Sequence, residues 1–221
     1  MRAVRLGPRD VVCERSADGT IHLTSPHALA PYPAKLTERL EYWAAAAPER
    51  TYLAQRAASG WRKISYGETL EQVRRIGAAL LRRELSPARP IAILSGNDIE
   101  HALIGLAAMY VGIPYAPISP AYALISNDFE RLRSIIDLIT PGLVFAADGD
   151  SYARAIDAAV RPDVEVVVTR NPIPGRPTTL FETLRAPTPT GAADAAHGLV
   201  SPDTIAKLLF TSGSRPARRR R

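Results

Sequence analysis

Short apolar runs alternate with helical stripes along most of this chain. Ile91-Ala92-Ile93-Leu94, Leu143-Val144-Phe145 and residues 164–168 are continuous or nearly continuous apolar runs of strand length. That is the pattern of short apolar strands. Between them lie segments with apolar residues three and four apart. Leu36, Leu40 and Trp43 line one side of a predicted helix over residues 35–47, which Pro48 ends. Leu70, Val73, Ile76 and Leu80 form the next stripe, and Leu132, Ile135, Ile136 and Ile139 a later one.

Local signals place the ends of these elements. Ser65 and Glu68 have capping-box spacing at the head of the second helix. Asn97 to Glu100 repeats the spacing after the strand at residues 91–94, with Asn97 as the expected cap, and that helix runs to about Val111. Residues 112–118 are expected to be the following strand and its exit. Asn127 to Glu130 has the spacing to cap the helix that Thr140-Pro141-Gly142 stops. A helix over residues 151–160 then feeds the strand at 164–168. Two antiparallel pairs are also predicted: residues 11–12 with 21–24 about Asp18-Gly19, and residues 51–54 with 61–64 about Ser59-Gly60.

Strands alternating with capped helices predict an α/β fold with a mostly parallel sheet, flanking helices and a short N-terminal hairpin. Residues 1–34 make the hairpin and a proline-rich extended lead, and residues 35–170 the α/β body. Residues 171–200 are rich in Pro, Thr, Gly and Ala and predict a loop or linker, with Leu180 to Leu184 as a single helical turn. Residues 205–210 are the expected last strand, within a segment 201–214. Residues 215–221 are an arginine-rich tail.

Composition adds restraint. The formal charge is +6, and Arg215 with Arg218 to Arg221 supplies five of it, leaving +1 for the rest. The basic balance is therefore a property of the tail. Such a tail attracts phosphate backbones without a sequence-reading module, so no specific nucleic-acid partner is expected. Arg74, Arg75, Arg82 and Arg83 lie off their helix stripe and predict a solvated face. The single cysteine, Cys13, excludes an internal disulfide, and the four scattered histidines make no metal site. The N-terminus has no apolar signal region, and Gly105, Gly112, Pro114 and Pro117 break the longest apolar stretch. A cytoplasmic protein with no membrane span is expected.

The candidate chemistry lies after residues 205–210, in Thr211-Ser212-Gly213-Ser214. Ligands of open α/β sheets bind off the carboxyl ends of strands. Glycine lets the backbone approach a ligand, successive N–H groups can cradle an anion, and three hydroxyls add donors. The same spacing also suits an ordinary hydroxyl-glycine turn, which is the commoner outcome. It is not a Walker A loop.

LLFTSGS resembles the opening of the signature loop of the AMP-forming adenylating enzymes, the acyl-CoA synthetase and luciferase superfamily. In that loop the order is Thr-Ser-Gly-Ser/Thr-Thr-Gly-x-Pro-Lys-Gly, wrapped round the ATP phosphates. WRKISYGETLEQVRRIGAALL and IAILSGNDIEHALIGLAAMYVGIPYAPISPAYAL resemble its upstream segments. NDFERLRSIIDLITPGLVFAADG and ERLEYWAAAAPERTYLAQR look most like the feruloyl-CoA synthetase branch. The resemblance spans residues 3–214. It implies that residues 35–170 belong to the AMP-binding subdomain of the family's large domain. It also implies that Thr211, Ser212, Gly213 and Ser214 bind nucleotide. Arg215 and Pro216 stand where the family has Thr and Gly, and the Pro-Lys-Gly end has no counterpart. The chain is thus expected to be an N-terminal fragment ending inside the loop.

The implied activity is ATP-dependent conversion of a carboxylic acid, of the hydroxycinnamate or ferulate class, to its CoA thioester through an acyl-adenylate. The intact enzyme would use ATP, magnesium and coenzyme A, with a small carboxylic acid as partner. In the family, the ribose contact, the magnesium-binding glutamate and the catalytic lysine follow the loop. This chain is therefore expected to be inactive alone, with no catalytic or metal-ligating residue assigned. Lys207, inside the predicted strand, is given no catalytic role. An exposed sheet edge is expected to favour self-association. The alternative is a non-catalytic binding protein that keeps part of the fold.

Overall fold

The structure is a computed structural model that describes residues 7–186 and 191–211. Contacts divide the chain into two units, Met1–Pro33 and Ala34–Arg221.

The first unit holds an antiparallel hairpin of β1 (Val12–Arg15) and β2 (Ile21–Thr24), paired from Val12↔Thr24 to Arg15↔Ile21. Its loop closes when Ser16 N–H donates to Thr20 O at 2.9 Å, and Gly19 takes a left-handed φ of 86°. The Asp18 carboxylate accepts from the Thr20 N–H, which holds it below the usual carboxylate range. All eight strand residues are exposed.

The second unit is a three-layer α/β body. In chain order it contains α1 (Glu38–Ala46), the hairpin β3 (Thr51–Ala57) and β4 (Gly60–Ser65), α2 (Tyr66–Leu80), β5 (Ile91–Leu94), α3 (Ile99–Tyr110) and β6 (Tyr115–Pro117). There follow α4 (Ala121–Leu124), α5 (Glu130–Ile139), β7 (Leu143–Ala146), α6 (Gly149–Ala159), β8 (Glu165–Val168), β9 (Thr178–Leu180), α7 (Phe181–Arg185) and α8 (Gly191–Leu199). The strand order is β6-β5-β7-β8-β9, every pair parallel. The α/β fold with its parallel sheet, flanking helices and N-terminal hairpin is as expected.

Alternate strand residues feed two cores. Ile91, Ile93, Leu143, Phe145 and Val167 face α1, α2, α3, α7 and α8. Ala92, Leu94, Val144, Ala146, Val166 and Val168 face α4, α5 and α6. Because both faces are covered, β5 and β7 are wholly buried, which explains their unbroken apolar sequences.

The Ser65–Glu68 capping box forms as its spacing predicts, each side chain taking a backbone N–H of the other residue. Two other helix starts differ from the expected caps. Asp98, not Asn97, caps α3 by accepting from His101 N–H at 2.6 Å. Ahead of α5, Ser126 Oγ accepts from Phe129 N–H and Asp128 Oδ1 from Glu130 N–H, while Asn127 is exposed. At α3 the strand exit decides which of the two Asx neighbours reaches the orphan amides, whereas α5 starts after Phe129, in left-handed backbone, with no side-chain cap at that residue.

Residues 171–200 are not a plain loop or linker. β9 is the fifth strand, and α7 and α8 cover the first core through Phe181, Leu184 and Ala193. Thr-Thr-Leu is too short for a periodic signal, and the buried face of α8 is alanine with one histidine, so its composition looks like linker. The expected strand at 205–210 is also corrected. The structure shows one parallel bridge, Tyr115↔Lys207, with Tyr115 N–H donating to Ala206 O at 3.4 Å and Leu208 N–H to Tyr115 O at 2.9 Å. Tyr115 and Pro117 are the β6 positions that face this segment, and Pro117 has no N–H to continue the ladder.

Candidate functional site

Five parallel strands bring their carboxyl ends to one edge of the body. After β5 the chain passes to α3 on the first face, and after β7 to α6 on the opposite face. The crevice of the fold therefore opens between these two neighbouring strand ends.

The β5 side of the crevice is built by Ser95 to His101. The Ser95 hydroxyl, buried, lies 2.7 Å from His101 Nδ1, and Gly96 O lies 3.2 Å from the same nitrogen. Glu100, also buried, is held by Arg62 of β4, and Gln55 of β3 accepts from Ile99 N–H at 3.2 Å. The β3–β4 hairpin thus fixes the start of α3. Burial holds the Asp98 carboxyl above the usual range, despite the His101 amide, with the Glu100 charge adding to the effect. Burial lowers the His101 imidazole against the pull of Asp98, and Lys207 lowers it further.

On the β7 side, Asp148 ties two strand exits together. Its carboxylate accepts from Arg170 Nε and Asn171 Nδ2, each at 3.0 Å. Burial is the largest single influence and opposes its ionisation, but the Asn171 and Arg170 contacts together outweigh it and hold the carboxyl below the usual range. Gly149 is required here: a Cβ would sit 1.8 Å from Asn171 O. Between Asp98 and Asp148 lies the buried Tyr152, whose phenol is raised by burial and by both carboxylates. At this crevice Glu100 is paired with Arg62 and Asp148 with Arg170.

A different setting surrounds the segment beyond β6. Residues 205–211 run parallel to β6 with alternating exposure: Leu208 and Phe210 pack on the second core, while Ile205, Lys207 and Leu209 are exposed. The Lys207 ammonium lies 5.3 Å from the Tyr115 ring centroid. At the end of the run, Arg131 of α5 donates from Nη2 to Thr211 O at 2.7 Å. The same guanidinium stacks over the Tyr122 ring, 4.9 Å from its centroid. Arg131 thus places a positive charge beside the first residue of the candidate loop. Thr211 is exposed; Ser212, Gly213 and Ser214 lie outside the described residues.

Neither Arg131 nor Tyr122 was singled out by sequence as a site residue. Arg131 lies 80 positions from its partner, so no local spacing could signal it. Tyr122 does stand within the quoted YAPISPAY stretch. Among the described residues, no three His, Cys, Asp or Glu side chains converge as a metal site, and no helix is long and apolar enough to cross a membrane.

A sequence profile described as AMP-binding enzyme matches residues 40–215, running from the first helix through the candidate loop. The chain belongs to the AMP-binding enzyme family. A curated relative from Rhodococcus jostii (strain RHA1), 3-[(3aS,4S,7aS)-7a-methyl-1,5-dioxo-octahydro-1H-inden-4-yl]propanoyl:CoA ligase, is 28% identical over 168 residues, which are 71% of this chain and 32% of the relative. The chain thus spans about a third of the length of that curated relative. The luciferase-like enzyme from the nonluminescent Zophobas morio mealworm has a TM-score of 0.61 at 15% identity, over 84% of this chain and 42% of that one. Fatty acyl-adenylate ligase from L. pneumophila, solved with acyl adenylate and pyrophosphate, has a TM-score of 0.57 at 16% identity, over 82% and 29%. These structures establish the shared fold.

Proposed function

We propose that this AMP-binding family chain supplies the start of the nucleotide-phosphate loop, Thr211, Ser212, Gly213 and Ser214, for ATP-dependent activation of a carboxylic acid in the cytoplasm. The observation that carries this is the delivery of Thr211, beside Arg131, at the end of a run laid parallel to β6. The family match extends through the same loop.

In the proposed reaction, a carboxylate oxygen attacks the α-phosphorus of ATP. The bond to the leaving pyrophosphate breaks, and an acyl-adenylate forms. The sulfur of coenzyme A then bonds to the acyl carbon, and AMP leaves. The feruloyl-CoA synthetase resemblance favours a hydroxycinnamate as the acid. Within this chain, the loop amides and hydroxyls would bind phosphate oxygens, and the Arg131 contact would fix the loop's first carbonyl. Magnesium is given no ligand among the described residues, and no step is routed through it.

The 221 residues correspond to about a third of the curated relative, so the reading assigns no turnover to this chain alone. Pyrophosphate release with ATP, magnesium and a panel of cinnamates tests this. The purified chain should release none, while the same chain joined to the later two thirds of a family enzyme should prefer hydroxycinnamates over saturated acids of similar size. Acyl-adenylate formed by the 221-residue chain itself, or no carboxylate-dependent turnover in the joined protein, would contradict the reading. Exposed Leu138 (73%) and Leu209 (71%), beside the edge next to β6, support association with a second copy. Sedimentation as monomers at high concentration would remove that part.

A further inference from the structure

His197 is buried, only 7% exposed, although its helix α8 is short and otherwise mostly exposed. Its ring stacks on Tyr110 of α3, with centroids 4.0 Å apart and planes 3° from parallel. Its Nε2 lies 2.8 Å from the buried Thr37 hydroxyl, just ahead of α1, and its Nδ1 lies 3.6 Å from Glu41 Oε1. The Tyr110 hydroxyl donates to Asp194 Oδ1 of α8 at 2.7 Å and lies 3.0 Å from Glu41 Oε1. Arg74 of α2 donates to the same Asp194 oxygen at 2.8 Å, and Lys35 Nζ donates to His197 O at 2.5 Å. Beyond these polar contacts, α8 contributes only small side chains to the core, Ala193 fully and Ala196 in part. Its attachment therefore rests heavily on one titratable cluster.

The cluster is linked to the candidate loop. Val200 N–H donates to His197 O at 3.2 Å, and Val200 and Thr204 lie against Gly112. Two residues further, Ala206 and Leu208 make the bonds to Tyr115. A cavity of about 160 Å³, lined in part by Lys35, Thr37, Gly112, Val200 and Thr204, lies between α8's end and that attachment.

We infer that the His197 cluster is an acid-sensitive latch, holding α8, and with it the segment that delivers Thr211, against α1, α2 and α3. The groups facing His197 act in both directions. Burial disfavours its charged form most, and Lys35 adds to that, while Glu41, Asp194 and Glu38 pull the other way; the balance lowers its affinity for a proton. Burial and the carboxylates raise Tyr110, so its hydroxyl stays protonated and goes on donating. The sign follows. A released α8 binds the His197 proton at about pH 6.5, and a docked α8 only below that. The latch is fully closed above about 6.5, weakens as pH falls, and reaches its weakest state below the docked value. This inference stands independently of which acid is activated, and of whether the chain binds ATP.

Hydrogen exchange of the full chain between pH 5 and 8, corrected for the intrinsic pH dependence of amide exchange, tests it. Opening of residues 191–208 should rise by up to about tenfold per pH unit within the titration window, the limit for one linked proton. Amides of β5, β7 and β8 should stay protected throughout. His197→Gln should abolish the acid response. Tyr110→Phe should raise opening at every pH and keep the response. The His197 ring proton, followed by NMR in the unaltered chain, should titrate below the ordinary value, which keeps the test valid if a variant folds poorly. An exchange profile flat in pH, an equal acid response in the central strands, or the same response in His197→Gln would overturn the latch.

Discussion

β7 and residues 205–211 are both short apolar stretches laid parallel to a neighbour, yet they end as different structures. β7 has β5 on one side and β8 on the other, and all four of its residues are buried. The 205–211 stretch has one partner residue, Tyr115, and buries only alternate side chains in part. Apolar composition selects which stretches enter the sheet; the neighbour's free N–H and C=O groups decide how far they zip. At β6 the supply ends at Pro117. The interior strand is paired along both edges, whereas the stretch that leads to Thr211 makes a bridge to Tyr115, sets Leu208 and Phe210 on the second core and meets Arg131 at its end.

The largest expected break in this contrast is Phe145→Ala in β7. It removes a fully buried ring that meets Phe181 edge-on at 5.5 Å, and should cost about 3–5 kcal/mol by chemical denaturation. Next is Gly149→Ala, where backbone of the β8 exit occupies the Cβ position. Since that backbone cannot swing aside as a side chain would, a loss of about 2–3 kcal/mol is expected, read as a lowered denaturation midpoint. Leu208→Ala, in the partly buried stretch, should cost no more than about 1 kcal/mol globally. It should nonetheless speed exchange across 206–210 more than Phe145→Ala does relative to its global effect. Pro117→Ala sharpens the comparison in the other direction. It supplies an N–H towards residue 208 and should add one slowly exchanging amide beside β6, with little net change in midpoint because a freer unfolded chain offsets the bond.

The smallest effect is electrostatic. Burial opposes ionisation of Glu165 at the start of β8, but Arg83 and the Thr179 hydroxyl prevail and hold its carboxyl below the ordinary 4.5. A depressed carboxyl contributes stability above the ordinary value that is lost as pH falls through the depressed one. Glu165→Gln should flatten that acid limb of the stability profile, as seen in denaturation midpoints across pH 3 to 6.

What could be read from sequence followed the range of the forces involved. The short apolar strands and the Ser65–Glu68 capping box are recorded in neighbouring residues, and they appear where the pattern puts them. The cap at Asp98 and the left-handed start of α5 at Phe129 depend on how the chain leaves the preceding segment, so spacing alone does not choose. α8 was hidden because its buried side is alanine and a histidine satisfied by Thr37, 160 positions away. The candidate loop was visible by resemblance, because its chemistry is local. The Arg131 and Tyr122 setting of Thr211 was not, because it exists only once α5 and the 205–211 stretch lie side by side.

The central claim is that the stretch leading to Thr211 adds to the sheet beside β6 in parallel sense. Scalar coupling across hydrogen bonds in the isotope-labelled chain tests it most directly. A correlation from the Leu208 amide to the Tyr115 carbonyl carbon is predicted, alongside the interior correlation from Ala147 to Leu94. The interior signal with no Leu208–Tyr115 signal, or with Leu208 coupled to another carbonyl, would contradict it.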